Sequence, residues 1–198
     1  MSIEIIVYTK QLSDDLIPKI VSRLNDFDMD CEVYPGFSFN EHIGFLPFKF
    51  KFRSPPFEIL TNKELVSGFE LCVDNFNFEQ EKLRSQPKLG LIQRLTGRKH
   101  PSHSLFSVDI DKRIKHCVKK VSFTWQVADS FEVRFASIVS AILSELTDGV
   151  CSYPADGVWY ENQNFAEKTW GEVRAYETNI LTERTLKFHE FTNWEDFR

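Results

Sequence analysis

Apolar and polar positions change period several times along the chain, and each change predicts an element. "SIEIIVYT" is a β-rich run and predicts a strand over Ser2–Thr9. In "SDDLIPKIVSRLNDF", Leu16, Ile17, Ile20, Val21 and Leu24 recur at helical spacing. With Asp15 as N-cap, Pro18 would be the third helical residue, where its missing N–H costs no intrahelical bond. A strand beginning at Cys31–Tyr34 is closed by Pro35-Gly36. "GFLPFKFKF" alternates Phe48, Phe50 and Phe52 with Lys49 and Lys51, the period of a half-buried strand. "SGFELCVDNF" predicts a strand from Phe69 to Val73.

Residues 76–104 break this rhythm and read as a basic insertion or arm, with a short helix over Leu89–Leu95. "LFSVDI" and "KKVSFTWQV" read as the strands that bracket it, Val121, Phe123 and Trp125 sharing one face. "DSFEVRFASIVSAILSELTDG" then predicts the longest helix. Phe131, Phe135, Ile138, Val139, Ile142, Leu143 and Leu146 form its apolar stripe. Asp129 and Glu132 are spaced as a capping box, and Gly149 is placed as a left-handed terminator. "PADG" between Val150–Tyr153 and Val158–Tyr160 predicts a hairpin. Residues 162–198 read as a C-terminal helical extension with an apolar end, "FHEFTNWEDF".

Strands outnumber helices and come in runs, which predicts an α+β class. The expected architecture is one domain over 1–198: a largely antiparallel sheet packed by two main amphipathic helices, with the basic insertion and the C-terminal helix.

Composition adjusts this picture only slightly. At 198 residues, 42% hydrophobic and 27% charged, the chain is long and apolar enough to bury a sizeable core. "MSIEIIVYTK" has no basic n-region, and no window has the ~18 apolar residues of a membrane span, so the expectation is a cytoplasmic protein without membrane association. Cys31, Cys72, Cys117 and Cys151 are too widely spaced for a disulfide framework or a C-x-x-C zinc site.

Charge is unevenly placed. Residues 1–80 carry 13 acids and 7 bases, 81–120 carry 3 and 11, and 121–198 carry 13 and 6. The acidic bulk disfavours nucleic acid and suits a basic protein partner.

Candidate chemistry is sparse. Cys151 follows a helix C-terminus, whose partial negative charge opposes a thiolate. His100, His103, His116 and Cys117 could hold a metal, although adjacent His-Cys ligands are unusual for structural zinc. Asp109 and Asp111 would share one face of a strand, a pairing used with hard cations, but no phosphate-cradling glycine loop accompanies them. The arm's Lys82, Arg84, Lys88, Arg94, Arg98 and Lys99 could contact phosphates, yet no aromatic lies among them for base stacking. The C-terminal stretch places acids among aromatics, a composition suited to a protein interface. Asp156, Trp159, Tyr160, Glu161, Trp170, Glu172 and Glu177 are its candidate partner-binding residues.

"GFLPFKF" at 44–50, "SGFEL" at 67–71 and "VSFTWQ…FASIVSAILSELTDGVCSYPADGVWY" within 121–160 together resemble a family of small bacterial proteins. That family is associated with immunity partners of polymorphic and contact-dependent growth-inhibition toxins. The resemblance covers about half the chain, and its motifs are structural, so no catalytic residue is carried over. It implies a protein that binds a cognate, basic toxin, such as a nuclease, and needs no cofactor. The alternatives are an enzyme assembled from Asp109, Asp111, His116 and Cys151, or an adaptor using the basic 82–99 arm. A self-paired edge strand would make a homodimer.

Overall fold

The computed structural model describes residues 3–85, 105–126, 128–160 and 163–197. Its strands are β1 (Ile3–Thr9), β2 (Met29–Val33), β3 (Gly44–Phe52), β4 (Leu65–Asn75), β5 (Lys119–Trp125), β6 (Val150–Tyr153), β7 (Val158–Trp159) and β8 (His189–Glu190). The α-helices are α1 (Ile17–Leu24), α2 (Phe78–Ser85), α3 (Val108–Ile114), α4 (Glu132–Leu146) and α5 (Phe165–Asn179). All strands join one antiparallel sheet in the spatial order β2-β3-β4-β5-β1-β6-β7, with β8 paired to β4. The class is α+β, as the runs of strands imply. Since β5 and β6 both flank β1 antiparallel, they run parallel to each other and need a crossover, which α4 supplies.

Alternation along the strands sorts residues to two faces. On the helix-covered face, Val7, Val121, Phe123, Phe69, Leu71, Phe48, Phe50, Met29 and Cys151 form the main core with α1, α4 and α5. Phe48 stacks on Phe135 with centroids 4.9 Å apart, and Phe50 and Phe52 meet Phe131 edge-on. Each such ring pair adds about 1 kcal/mol beyond its buried area. On the opposite face, Ile6, Tyr8 and Val150 form a smaller core with Phe76, Phe78, Ile114 and Cys117.

Several local expectations change. Helix α1 starts at Ile17 after a 3-10 turn over Asp14–Leu16, so Asp15 is not its N-cap and Pro18 falls at the second helical position. Asp14 instead accepts from the Phe39 N–H, 2.9 Å away. The second strand begins at Met29, and β4 spans Leu65–Asn75. "LFSVDI" is not a strand: Ser107 Oγ accepts from the Ile110 N–H and starts α3, so Asp109 and Asp111 lie on a helix. The expected helix over Leu89–Leu95 lies outside the described residues.

Helix α4 is buried nearly all round, polar Arg134, Ser140 and Ser144 included, because the sheet lies on one side and α1 and α5 on others. Helix α5 is therefore a third core helix, with Phe165, Ala166 and Val173 in the main core. The rest of the C-terminal stretch is not helical extension alone: it returns to the sheet as β8. The capping box is also displaced. Asp129 accepts from the Phe131 N–H at 2.7 Å, and Glu132 accepts from the Gln126 and Ala128 N–H groups at 3.1 Å. After α4, the left-handed residue is Asp148 (φ 47°), not Gly149. Gly149 is needed for space, since a Cβ there would lie 2.8 Å from the Tyr8 carbonyl oxygen.

Candidate functional site

Strand β7 is the edge of the sheet, and the hairpin that makes it turns at Pro154–Asp156 and Gly157 (φ 65°). Asp156 is exposed there, while Trp159 and Tyr160 are half-buried. The Trp159 indole stacks on Tyr8 at 5.9 Å and meets Phe106 edge-on at 4.7 Å. Phe106 is 46% exposed and the neighbouring edge residue Val158 39%. The loop carrying Phe106 is pinned. Asp111 accepts from the Leu105 and Phe106 N–H groups, at 2.9 and 3.1 Å. Phe106 is thus held from behind and packs on Tyr8, which in turn meets Phe76 edge-on at 4.8 Å. Burial, with Glu4 and Glu81 nearby, pushes the Tyr8 hydroxyl up to about 12, so it stays protonated. Beside this aromatic platform, a hollow of about 330 Å³ is lined by Tyr8, Phe106, Glu81, Arg84, Asp74 and Lys120.

The other expected partner-binding residues are dispersed. Tyr160 stacks on Phe165 at 4.8 Å, and its carbonyl accepts from Arg113. Trp170 is half-buried and packs on Phe27, between the guanidiniums of Arg134 and Arg174. Glu172 is exposed on α5. Glu177 is no surface acid: it is 1% exposed and paired with Arg134, so it faces no partner in this fold. Glu161 lies outside the described residues.

The enzyme candidates do not converge. Asp109 is exposed beside Lys112, Asp111 is occupied by the 105–106 backbone, and His116 is exposed. Cys151 belongs to the core on the other face of the sheet, where burial pushes its thiol up to about 12. Burial raises Cys117 to about 11. Among the described residues, no three His, Cys, Asp or Glu side chains are grouped as a metal ion requires; His100 and His103 lie outside them. Nor is any described helix long and apolar enough to cross a membrane. Of the arm's bases, Lys82 and Arg84 belong to α2, Arg84 paired with Glu81; Lys88, Arg94, Arg98 and Lys99 lie outside the described residues.

A second region was not legible in the sequence. Along one edge of β4, pairing with β5 ends at Thr124 opposite Glu70, and β8 takes the same lane only from His189 opposite Val66. The break in the lane opens a recess of about 360 Å³ whose walls include Glu70, Thr124, Asp129, Glu132, His189 and Phe197. The Ser67 hydroxyl donates to the Asp129 carboxylate at 2.9 Å. Burial pushes the Asp129 carboxyl up to about 6, against the lowering effect of the bonds from Phe131 and Ser67. A perturbed carboxyl in a recess is a mark of functional sites, although here it also holds the β5–α4 connection.

No family model, curated protein or solved structure matches the chain.

Proposed function

We propose that this chain is a cytoplasmic immunity protein, which binds a cognate bacterial toxin domain and neutralises it by covering the toxin's active surface. The carrying observation is the Phe106–Trp159 platform. These two large aromatics lie in edge contact beside exposed Val158 and are supported by Tyr8 and a loop pinned by Asp111. Interface energy concentrates in such rigid aromatic anchors, because they bury much area and lose little side-chain freedom on binding. The sequence resemblance over 44–50, 67–71 and 121–160 supports the same reading, and the acidic excess of residues 121–198 suits a basic toxin.

The test is co-expression with any toxin domain that the neighbouring gene encodes, followed by calorimetry on the purified pair; an unrelated neighbour counts against the reading. The intact chain should protect the cells and bind tightly. Phe106→Ala and Trp159→Ala should each weaken binding by about 30-fold, or roughly 2 kcal/mol. Failure of the intact chain to protect, or to bind, would end this reading.

A further inference from the structure

Further along β4 and β5 from the platform, the lane-break recess joins a second one. Phe45, Glu70 and Thr124 stand in one register row across β3, β4 and β5. Gly68 leaves room for the Phe45 ring, because a Cβ there would meet its Cζ at 3.0 Å and the Leu46 carbonyl oxygen at 2.1 Å. The neighbouring recess, about 380 Å³, is lined by Tyr34, Glu41, His42, Ile43 and Pro47, and shares Phe45 and Phe197 with the first. Because they meet at these two rings, we treat the two recesses as one groove. Its walls include four carboxylates (Glu41, Glu70, Asp129 and Glu132) and no Lys or Arg among the described residues. Ile43 stands at its rim, 91% exposed. Trp125, 5% exposed, also borders the groove, although its ring belongs to the main core on the other face of the sheet.

We infer that this groove receives an extended basic segment of a partner protein. The inference rests on the protein-binding reading above and adds a second contact with its own chemistry. Exposed Glu41 and Glu70 meet Arg or Lys heads, while Phe45, Tyr34 and Phe197 take the apolar stems and the flat guanidinium faces. Asp129 and Glu132 already hold backbone N–H groups, so they contribute negative potential rather than direct contacts. Such a wall repels phosphate, which sets nucleic acid aside. A second copy of this chain, offering its own basic 81–120 stretch, is the competing occupant.

The experiment titrates the intact protein with a short synthetic peptide of alternating Arg and Gly, by calorimetry and by NMR. Glu41→Gln with Glu70→Gln should weaken binding about fivefold or more, whereas the same charge change at exposed Glu172 and Glu183 should alter it less than about twofold. The Gly68 amide resonance should shift. Equal effects of the two pairs, or shifts elsewhere, would show general attraction to an acidic surface and overturn the inference. A dimer of the unliganded protein that the Glu41→Gln, Glu70→Gln pair dissolves would assign the groove to a second copy and also overturn it. Toxin titration separates the two readings. A groove variant that binds toxin normally, beside a weakened Trp159→Ala, removes the groove alone; an intact chain that ignores the toxin removes the immunity reading.

Discussion

Arg134 on α4 donates to both carboxylate oxygens of Glu177 on α5, at 2.8 Å from Nε and 2.7 Å from Nη2. Both side chains are inaccessible to solvent to within 1%. The guanidinium lies between the Phe52 and Trp170 rings, 4.7 Å from each centroid. Two-point pairing and two aromatic faces offset the cost of removing both charges from water. The pair fastens α5 to α4.

Removing either charge alone should therefore be severe. Glu177→Gln or Arg134→Met is expected to lower unfolding free energy by about 3–5 kcal/mol, while Arg134→Met with Glu177→Leu should recover most of that loss. Urea denaturation of the three variants measures it. A loss below about 1 kcal/mol from a single replacement would mean that the pair is not a principal fastening.

Asp129 should make stability depend on pH. Its carboxyl titrates near 6 when folded and from an ordinary value of 3.8, so the folded state holds the proton more tightly. The resulting penalty is absent below the ordinary value, grows as pH rises through that interval, and is complete above 6, at about 3 kcal/mol. Asp129→Asn keeps an acceptor for the Phe131 N–H without the charge. Its stability relative to the parent should rise between pH 4 and pH 7 in denaturant titrations. A difference that is flat with pH would show that ionisation of this carboxyl is not the cause.

The end of α4 makes a paired prediction. Gly149→Ala drives a methyl against the Tyr8 carbonyl and should cost about 1–3 kcal/mol. Asp148→Gly relieves a left-handed residue but gives up the exposed pair with Lys10, so it should change stability by less than about 1 kcal/mol. Thermal melts of the two variants should move by clearly different amounts. The reverse ranking would show that the close approach at Gly149 is not the turn's constraint and that Asp148 carries it.

Asp111 offers a test of the platform without touching its rings. Asp111→Ala frees the Leu105 and Phe106 N–H groups and should loosen the loop. Toxin binding should weaken about tenfold through lost pre-organisation, with secondary structure kept. Unchanged affinity alongside a weakened Phe106→Ala would mean that the ring needs no fixed loop.

Much of this fold was written in local periodicity. The alternation of Phe48, Phe50 and Phe52 with Lys49 and Lys51 dictates which face of β3 is buried, because strand side chains alternate whatever surrounds them. The apolar stripe of α4 and the Asp-Gly hairpin are similarly local, and both elements form where the pattern puts them. "LFSVDI" reads as a strand because so short a run carries no clear period, and the Ser107 cap together with Asp111's hold on the loop makes it helix instead. Charge was legible as composition but not as placement. Glu177 resembles the exposed Glu172 in sequence, yet its fate depends on an arginine 43 positions away. Asp129 reads as a helix cap, but its environment comes from Ser67, 62 positions away, and from burial. The groove exists only because β5 ends before β8 enters the same lane of β4. Local propensity and period determined the elements of this protein; which polar groups are buried, paired or brought to one surface was decided by tertiary packing, since desolvation and long-range pairing have no signature in neighbouring residues.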